Sequence, residues 1–201
     1  MTTETSGPRP LVGCVVLIPV KAFAAGKARL SPTLDPVRRA ELSRLMATRV
    51  LEAAGPLPVA VVCDDDEVGA WAHAHGALVL PEPRRGLNGA VESGVARLAG
   101  LGADEVMVAH GDLPLAHGLE SLAGYDGITL VPDRRDDGTN VVCLPARAPF
   151  RFSYGPGSFL RHRAEARRLG LASRVVRHPD LAWDVDVPAD IPAEFVSRAR
   201  L

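Results

Sequence analysis

The chain has 201 residues, 47% hydrophobic and 23% charged, with a formal net charge of −1 at pH 7. That length serves one domain with a core of its own, and the near-neutral charge gives no reason to expect nucleic acid or an anionic membrane as partner. No apolar run approaches the ~20 residues that span a bilayer. Residues 1–10 are polar, without the apolar segment of a signal peptide, and read as a disordered tail ahead of a domain over 11–201; a cytoplasmic location is expected. Cys14, Cys63 and Cys143 are far apart and form no CxxC pair, so core packing is expected of them rather than zinc or redox chemistry.

Val12 to Val20 is an apolar run that reads as a first buried strand, and Lys21 to Ser31 as a loop. Asp35-Pro36 suits an N-cap followed by proline at the first helical position. Leu42, Leu45, Met46, Val50 and Leu51 then recur at helical spacing until Gly55-Pro56. Val59–Cys63 is a second strand, about 67–75 a short helix, and Ala77–Leu80 a third strand. After a loop from Pro81 to Gly86, Leu87–Leu98 reads as a helix with Asn88 as a candidate cap. Val106–Ala109 is a short β-branched run expected to be a central parallel strand, buried on both faces. It stops at Gly111-Asp112, and Pro114 forbids ladder bonds just beyond. This alternation predicts an α/β fold: a doubly wound, mainly parallel sheet flanked by helices.

Further on, Gly118–Ala123 suggests a short helix. Ile128–Val131 and Thr139–Leu144, joined by the polar turn Arg134–Gly138, suggest a small β-hairpin insertion. Arg151–Gly157 reads as a loop, Ser158–Leu169 as an Arg-rich amphipathic helix, and Val175-Val176 as a last strand. Pro188 suits the start of a helix running to Leu201.

Ligands of open α/β sheets bind beyond the carboxyl ends of the strands, which makes Asp112 the first functional candidate. Lys21, Lys27 and Arg29 follow the first strand and suit either a polyphosphate or a solvated basic loop. The loop is not a Walker A motif, because Gly26-Lys27 is followed by Ala28. Asp184 and Asp186 are two residues apart and point the same way in an extended chain. With Asp112 they supply three carboxylates to one hard cation, Mg²⁺ fitting best; the alternative is Asp186 as an N-cap and Asp184 as a surface acid. Thr139, Gly155 and Ser158 offer hydroxyls and bare amides near a helix N-terminus, suited to a phosphate monoester or to plain capping. Arg161, His162 and Arg163 in that helix's first turn oppose its dipole unless an anion lies nearby. One of Asp64, Asp65 and Asp66 is expected to cap a helix, and His110, Trp71 and Trp183 to pack.

Taken in order, Leu17–Phe23 with Lys27–Leu30, Gly86–Ala90, His110–Pro114, Gly138-Thr139, Phe152–Ser158 and Trp183–Asp190 resemble the guanylyltransferases of deazaflavin coenzyme F-420 biosynthesis. These are similar to the molybdenum-cofactor guanylyltransferases and to the glycosyltransferase-A-like, Rossmann-like fold. The resemblance implies transfer of GMP from GTP to phosphoenolpyruvate or 2-phospho-L-lactate, with pyrophosphate released. It implies Asp112, Asp184 and Asp186 as Mg²⁺ ligands, with Thr139, Gly155 and Ser158 on the acceptor phosphate. Lys21, Lys27 and Arg29 would face the GTP phosphates, Asn88 would lie near base or ribose, and a homodimer is suggested. Two departures stand out: Gly26, which loosens the loop before Lys27, and the short Arg134–Gly138 turn. An ionised acceptor phosphate needs no general base, so catalysis would be positioning and charge stabilisation, with Asp112, Lys21 and Lys27 as its main residues.

Overall fold

The computed structural model describes residues 11–82 and 86–198, with side chains through Phe195. Its strands are β1 (Cys14–Pro19), β2 (Val59–Cys63), β3 (Leu78–Pro81), β4 (Glu105–Ala109), β5 (Ile128–Pro132), β6 (Thr139–Pro145) and β7 (Ser173–Val175). They form one seven-stranded sheet in the order β3-β2-β1-β4-β6-β5-β7. From β3 to β4 all neighbours are parallel; β6 runs antiparallel to both β4 and β5, and β7 is parallel to β5. The predicted hairpin is thus laid into the sheet. A short turn obliges β6 to run against β5, and β6 then covers the edge of β4. The expectation for β4 holds in its centrality and burial, but it is parallel on one side only.

The helices are α1 (Pro36–Ala53), α2 (Asp66–Ala74), α3 (Gly86–Gly100), α4 (Ser158–Arg168) and α5 (Ala193–Arg198). Alternation along β1 sets the two faces of the sheet. Val16 and Ile18 pack with Val50 of α1 and Trp71 of α2. Val15 and Leu17 pack with Val91 and Val95 of α3 and Phe159 of α4. At Gly94 helix α3 approaches β1 so closely that a Cβ would stand 2.8 Å from Leu17 Cδ2. A third cluster of Leu30, Leu34, Leu42, Met46, Val185 and Phe195 ties the loop after β1 to α1, to the segment before α5 and to α5 itself.

Asp35 caps α1 as expected, accepting the Arg38 amide at 2.9 Å. Asn88 does not cap α3; it lies inside the first turn. The predicted terminal helix is split. Pro188–Asp190 makes a 3-10 turn, Ile191 is extended (φ −73°, ψ 115°), and α5 starts after Pro192. A residue before proline is pushed out of the α region, which accounts for the break. The tail over 1–10 and Leu201 lie outside the described residues. Among the described residues no helix is long and apolar enough to cross a membrane.

Candidate active site

β1, β2 and β4 are parallel, so their carboxyl ends share one edge, and there a cleft of about 490 Å³ opens. Its lining includes Lys21, Lys27, Arg29, Asp64, Glu82, His110, Asp112 and Asp186. After β1 the chain makes two 3-10 turns, Phe23–Ala25 and Ala28–Leu30. Phe23 anchors the first, its ring edge-on to Trp71 at 5.5 Å, and buried Leu30 anchors the second. Between them Lys27 adopts a left-handed backbone, φ 54° and ψ 41°, which costs a non-glycine residue about 1–2 kcal/mol. Its ammonium lies 2.5 Å from Asp112 Oδ2 and donates to the Val185 carbonyl at 2.5 Å. Arg29 pairs with Asp186 at 3.3 Å.

Asp112 and the Asp184–Asp186 segment are therefore neighbours, and the Val185 amide also donates to the Asp112 carbonyl at 3.3 Å. Burial pushes the Asp112 carboxyl up, but the Lys27 charge and hydrogen bond, with the His110 charge and a backbone hydrogen bond, together outweigh it and the net direction is down. The Asp184 carboxyl is pushed up by burial and by the charges of Asp112 and Asp186. Asp112 Oδ1 is buried and has no hydrogen-bond partner among the described residues. The ligand atoms of the three acids do not all lie within 4.8 Å of one another. They nonetheless form an acidic set with an unpartnered oxygen and an opposed ionisation, and this fits a hard, oxygen-seeking divalent cation.

Asp190 organises this acidic segment, and sequence reasoning missed it. Its Oδ2 accepts the Asp186 and Val187 amides, each at 2.9 Å. Its Oδ1 takes Arg134 at 2.9 Å. Arg134 also donates to the Asp184 carbonyl at 3.1 Å and lies over the Trp183 ring, 3.9 Å from its centroid. Trp183 Nε1 closes the set on the Asp190 carbonyl at 2.8 Å. Burial raises the Asp190 carboxyl, while Arg134 and the two amides more than reverse that. So Asp186 is not the cap of the turn at Pro188. Val187 holds that position and the carboxylate comes from Asp190. An acid three residues after the cap is a readable signal; Arg134, far away in sequence, left none.

Thr139 and Ser158 also meet, with their hydroxyl oxygens 3.3 Å apart and both side chains buried. His162 Nδ1 is 3.1 Å from Thr139 Oγ1, and the Ser153 amide donates to Nε2 at 3.0 Å. A backbone amide only donates, so Nε2 is unprotonated and the Nδ1–H donates to Thr139. Burial pushes the His162 pKa down to about 4. The cap of α4 is Gly157, not Ser158. Asp137 is the anion at this helix start, accepting the Gly157 amide on Oδ1 and the Phe159 amide on its carbonyl, each at 3.0 Å. Arg161 turns back to the Ser153 and Pro156 carbonyls at 2.7 and 2.5 Å. Gly155 lies exposed on the same loop.

Asn88 faces this second group. Its Oδ1 accepts the Tyr154 amide at 2.7 Å, and it is not among the residues lining the cleft, whereas Gly86 and Leu87 are. Of the three consecutive acids, Asp65 caps α2 and Asp64 lines the cleft. The predicted residues thus fall into a cleft group of Lys21, Lys27, Arg29, Asp112 and Asp186, with Asp184 outside the cleft lining but near enough to feel the Asp112 and Asp186 charges, and a buried pair, Thr139 and Ser158, at the start of β6 and α4, with Gly155 exposed beside it.

Residues 14–196 match the family described as "Guanylyl transferase CofC like". A phosphoenolpyruvate guanylyltransferase of Rubrobacter xylanophilus is 38% identical over 184 residues, covering 87% of this chain and 90% of its own. One from Sphaerobacter thermophilus is 35% identical over 186 residues, covering 88% and 90%. Among solved structures, a nucleotidyl transferase from Methanothermobacter thermautotroptrophicus matches with a TM-score of 0.64 at 15% identity, over 92% of this chain and 99% of that one. At that identity the likeness is one of fold.

Proposed function

The chain belongs to the CofC-like guanylyl transferase family, and from that membership and the charge pattern of the cleft we propose that it transfers GMP from GTP to phosphoenolpyruvate, in the biosynthesis of coenzyme F-420. An oxygen of the acceptor's phosphate attacks the α-phosphorus of GTP; the bond from that phosphorus to the bridging oxygen breaks, and pyrophosphate leaves. 2-Phospho-L-lactate is the alternative acceptor.

The observation that carries this reading is the position of Lys27, whose ammonium bridges Asp112 and the backbone of Val185. A cation from the loop after β1 meets the acids of two distant segments at the strand ends, where a polyphosphate and its metal would have to meet. Lys21, Lys27 and Arg29 bind the triphosphate. Asp112, Asp184 and Asp186 would hold Mg²⁺, which would neutralise charge on the phosphoryl oxygens. Incoming phosphates compete with Asp112 for the Lys27 ammonium.

Thr139, Gly155 and Ser158 take the acceptor's phosphate, with His162 orienting the Thr139 hydroxyl. Asn88 acts by holding the Tyr154 backbone beside them. The nucleophile is already ionised, so no base is assigned. Incubation with GTP, Mg²⁺ and a panel of phosphoenolpyruvate, 2-phospho-L-lactate and 3-phosphoglycerate tests the reading. Acceptor-dependent pyrophosphate release is expected with phosphoenolpyruvate, and a product mass equal to acceptor plus GMP less water. Release with none of them overturns it.

A further inference from the structure

His117, His178 and Asp180 each offer a ligand atom within 4.8 Å of the other two, at the protein surface and apart from the acids of the cleft. His117 lies in the turn after β4, and His178 and Asp180 lie in the segment that leads from β7 to Asp184. The two imidazoles meet edge to face with centroids 4.9 Å apart, and His117 Nδ1 is 3.6 Å from Asp180 Oδ2. The same Nδ1 is 3.2 Å from the Leu115 carbonyl. A carbonyl only accepts, so it favours the His117 tautomer with the hydrogen on Nδ1 and the lone pair on Nε2. A carbonyl behind a metal-binding imidazole plays this role. The Leu181 amide, 3.4 Å from His178 Nδ1, instead favours a hydrogen on His178 Nε2, which a bound metal would displace.

The segment opposite is held in place. The Ala182 amide donates to the His178 carbonyl at 2.8 Å, and Asn140 Nδ2 to the Leu181 carbonyl at 3.0 Å. We propose that His117, His178 and Asp180 form a binding site for a divalent transition metal such as Zn²⁺ or Co²⁺, clamping the turn after β4 to the segment that carries Asp184 and Asp186. Two imidazoles and one carboxylate, open to water for the remaining positions, suit such ions and not Mg²⁺. The clamp sits between the two stretches that deliver Asp112 and Asp184, so it would fix their spacing. It does not depend on the guanylyl-transfer reading.

The test titrates Co²⁺ into the full-length protein in excess Mg²⁺, following visible absorption and, with Zn²⁺, the melting temperature. One Co²⁺ per chain is expected, with absorption of an N/O-ligated ion and a Zn²⁺-dependent rise in Tm. His117→Ala and His178→Ala each weaken Co²⁺ binding about tenfold or more, by loss of a ligand, while Asp112→Asn leaves it intact. His117 is exposed, so its substitution spares the fold, and Asp180→Asn serves as an independent variant. No binding, binding indifferent to the two histidines, loss in Asp112→Asn, or thiolate-to-cobalt charge transfer would each overturn the proposal.

Discussion

Lys27 Nζ stands 2.5 Å from Asp112 Oδ2, a contact between residues 85 positions apart in the chain. Its side chain is 12% exposed and that of Asp112 29%, and the lysine holds a left-handed backbone to make the contact. The pair joins the loop after β1 to the end of β4, so the basic and acidic halves of the cleft assemble together.

Replacing Lys27 separates its charge from its backbone. Lys27→Ala leaves Asp112 without its cation, at about 2 kcal/mol for a partly buried pair, and keeps the left-handed cost. Lys27→Gly removes the same charge but relieves about 1 kcal/mol of strain. Chemical denaturation should therefore rank Gly above Ala in stability, while kcat/KM falls about 100-fold in both. Retained activity in either variant would remove Lys27 from the phosphate site.

Asp190 tests whether the acidic segment is held in place from outside. Asp190→Ala frees the Asp186 and Val187 amides and Arg134. Isothermal titration should show Mg²⁺ affinity falling about 10- to 100-fold, in the range known for groups that orient metal ligands. Conservative Asp190→Asn, which keeps one acceptor oxygen, should recover part of it. Unchanged affinity in both would make Asp190 a fold residue only.

His162 gives a pH dependence with a definite sign. Its folded pKa of about 4 lies below the ordinary 6.5. Above pH 6.5 neither state binds the proton; as pH falls from 6.5 to 4 the unfolded chain gains it first, and the fold loses up to about 3 kcal/mol. His162→Gln should flatten the stability profile over that window in urea titrations. A profile as steep as the parent's would assign the acid sensitivity to other groups.

Ser158→Ala removes a hydroxyl that contacts Thr139. With the acceptor's phosphate bound there, its KM should rise several-fold more than that of GTP; equal changes in both, with a lower Tm, would leave Ser158 a packing role.

The elements up to β4 were legible because alternation of apolar runs, caps and glycines is local chemistry. Asp35 capping α1 and Asp65 capping α2 are such cases. The direction of β6 beside β4 was not, since Val106–Ala109 reads the same whichever way its neighbour runs. The cleft candidates Lys27, Arg29 and Asp112 are legible from charge at strand ends and Asp186 from its two-residue spacing to Asp184, and the structure pairs Lys27 with Asp112 and Arg29 with Asp186. Their support was missed: Arg134 reaches Asp190 across 56 positions, and Asn88 reaches Tyr154 across 66. No periodicity reports such pairings. Thr139 and Ser158 were noticed as hydroxyls, but their link through His162 needed the geometry of β6 against α4.

The central claim is guanylyl transfer, and it is tested most directly by pyrophosphate release from GTP with Mg²⁺ and phosphoenolpyruvate, comparing the parent chain with Asp112→Asn. Rapid, acceptor-dependent release by the parent, its near loss in Asp112→Asn, and a much lower rate with ATP, CTP or UTP are predicted. Release that is absent in the parent, or that prefers another nucleotide, would contradict it.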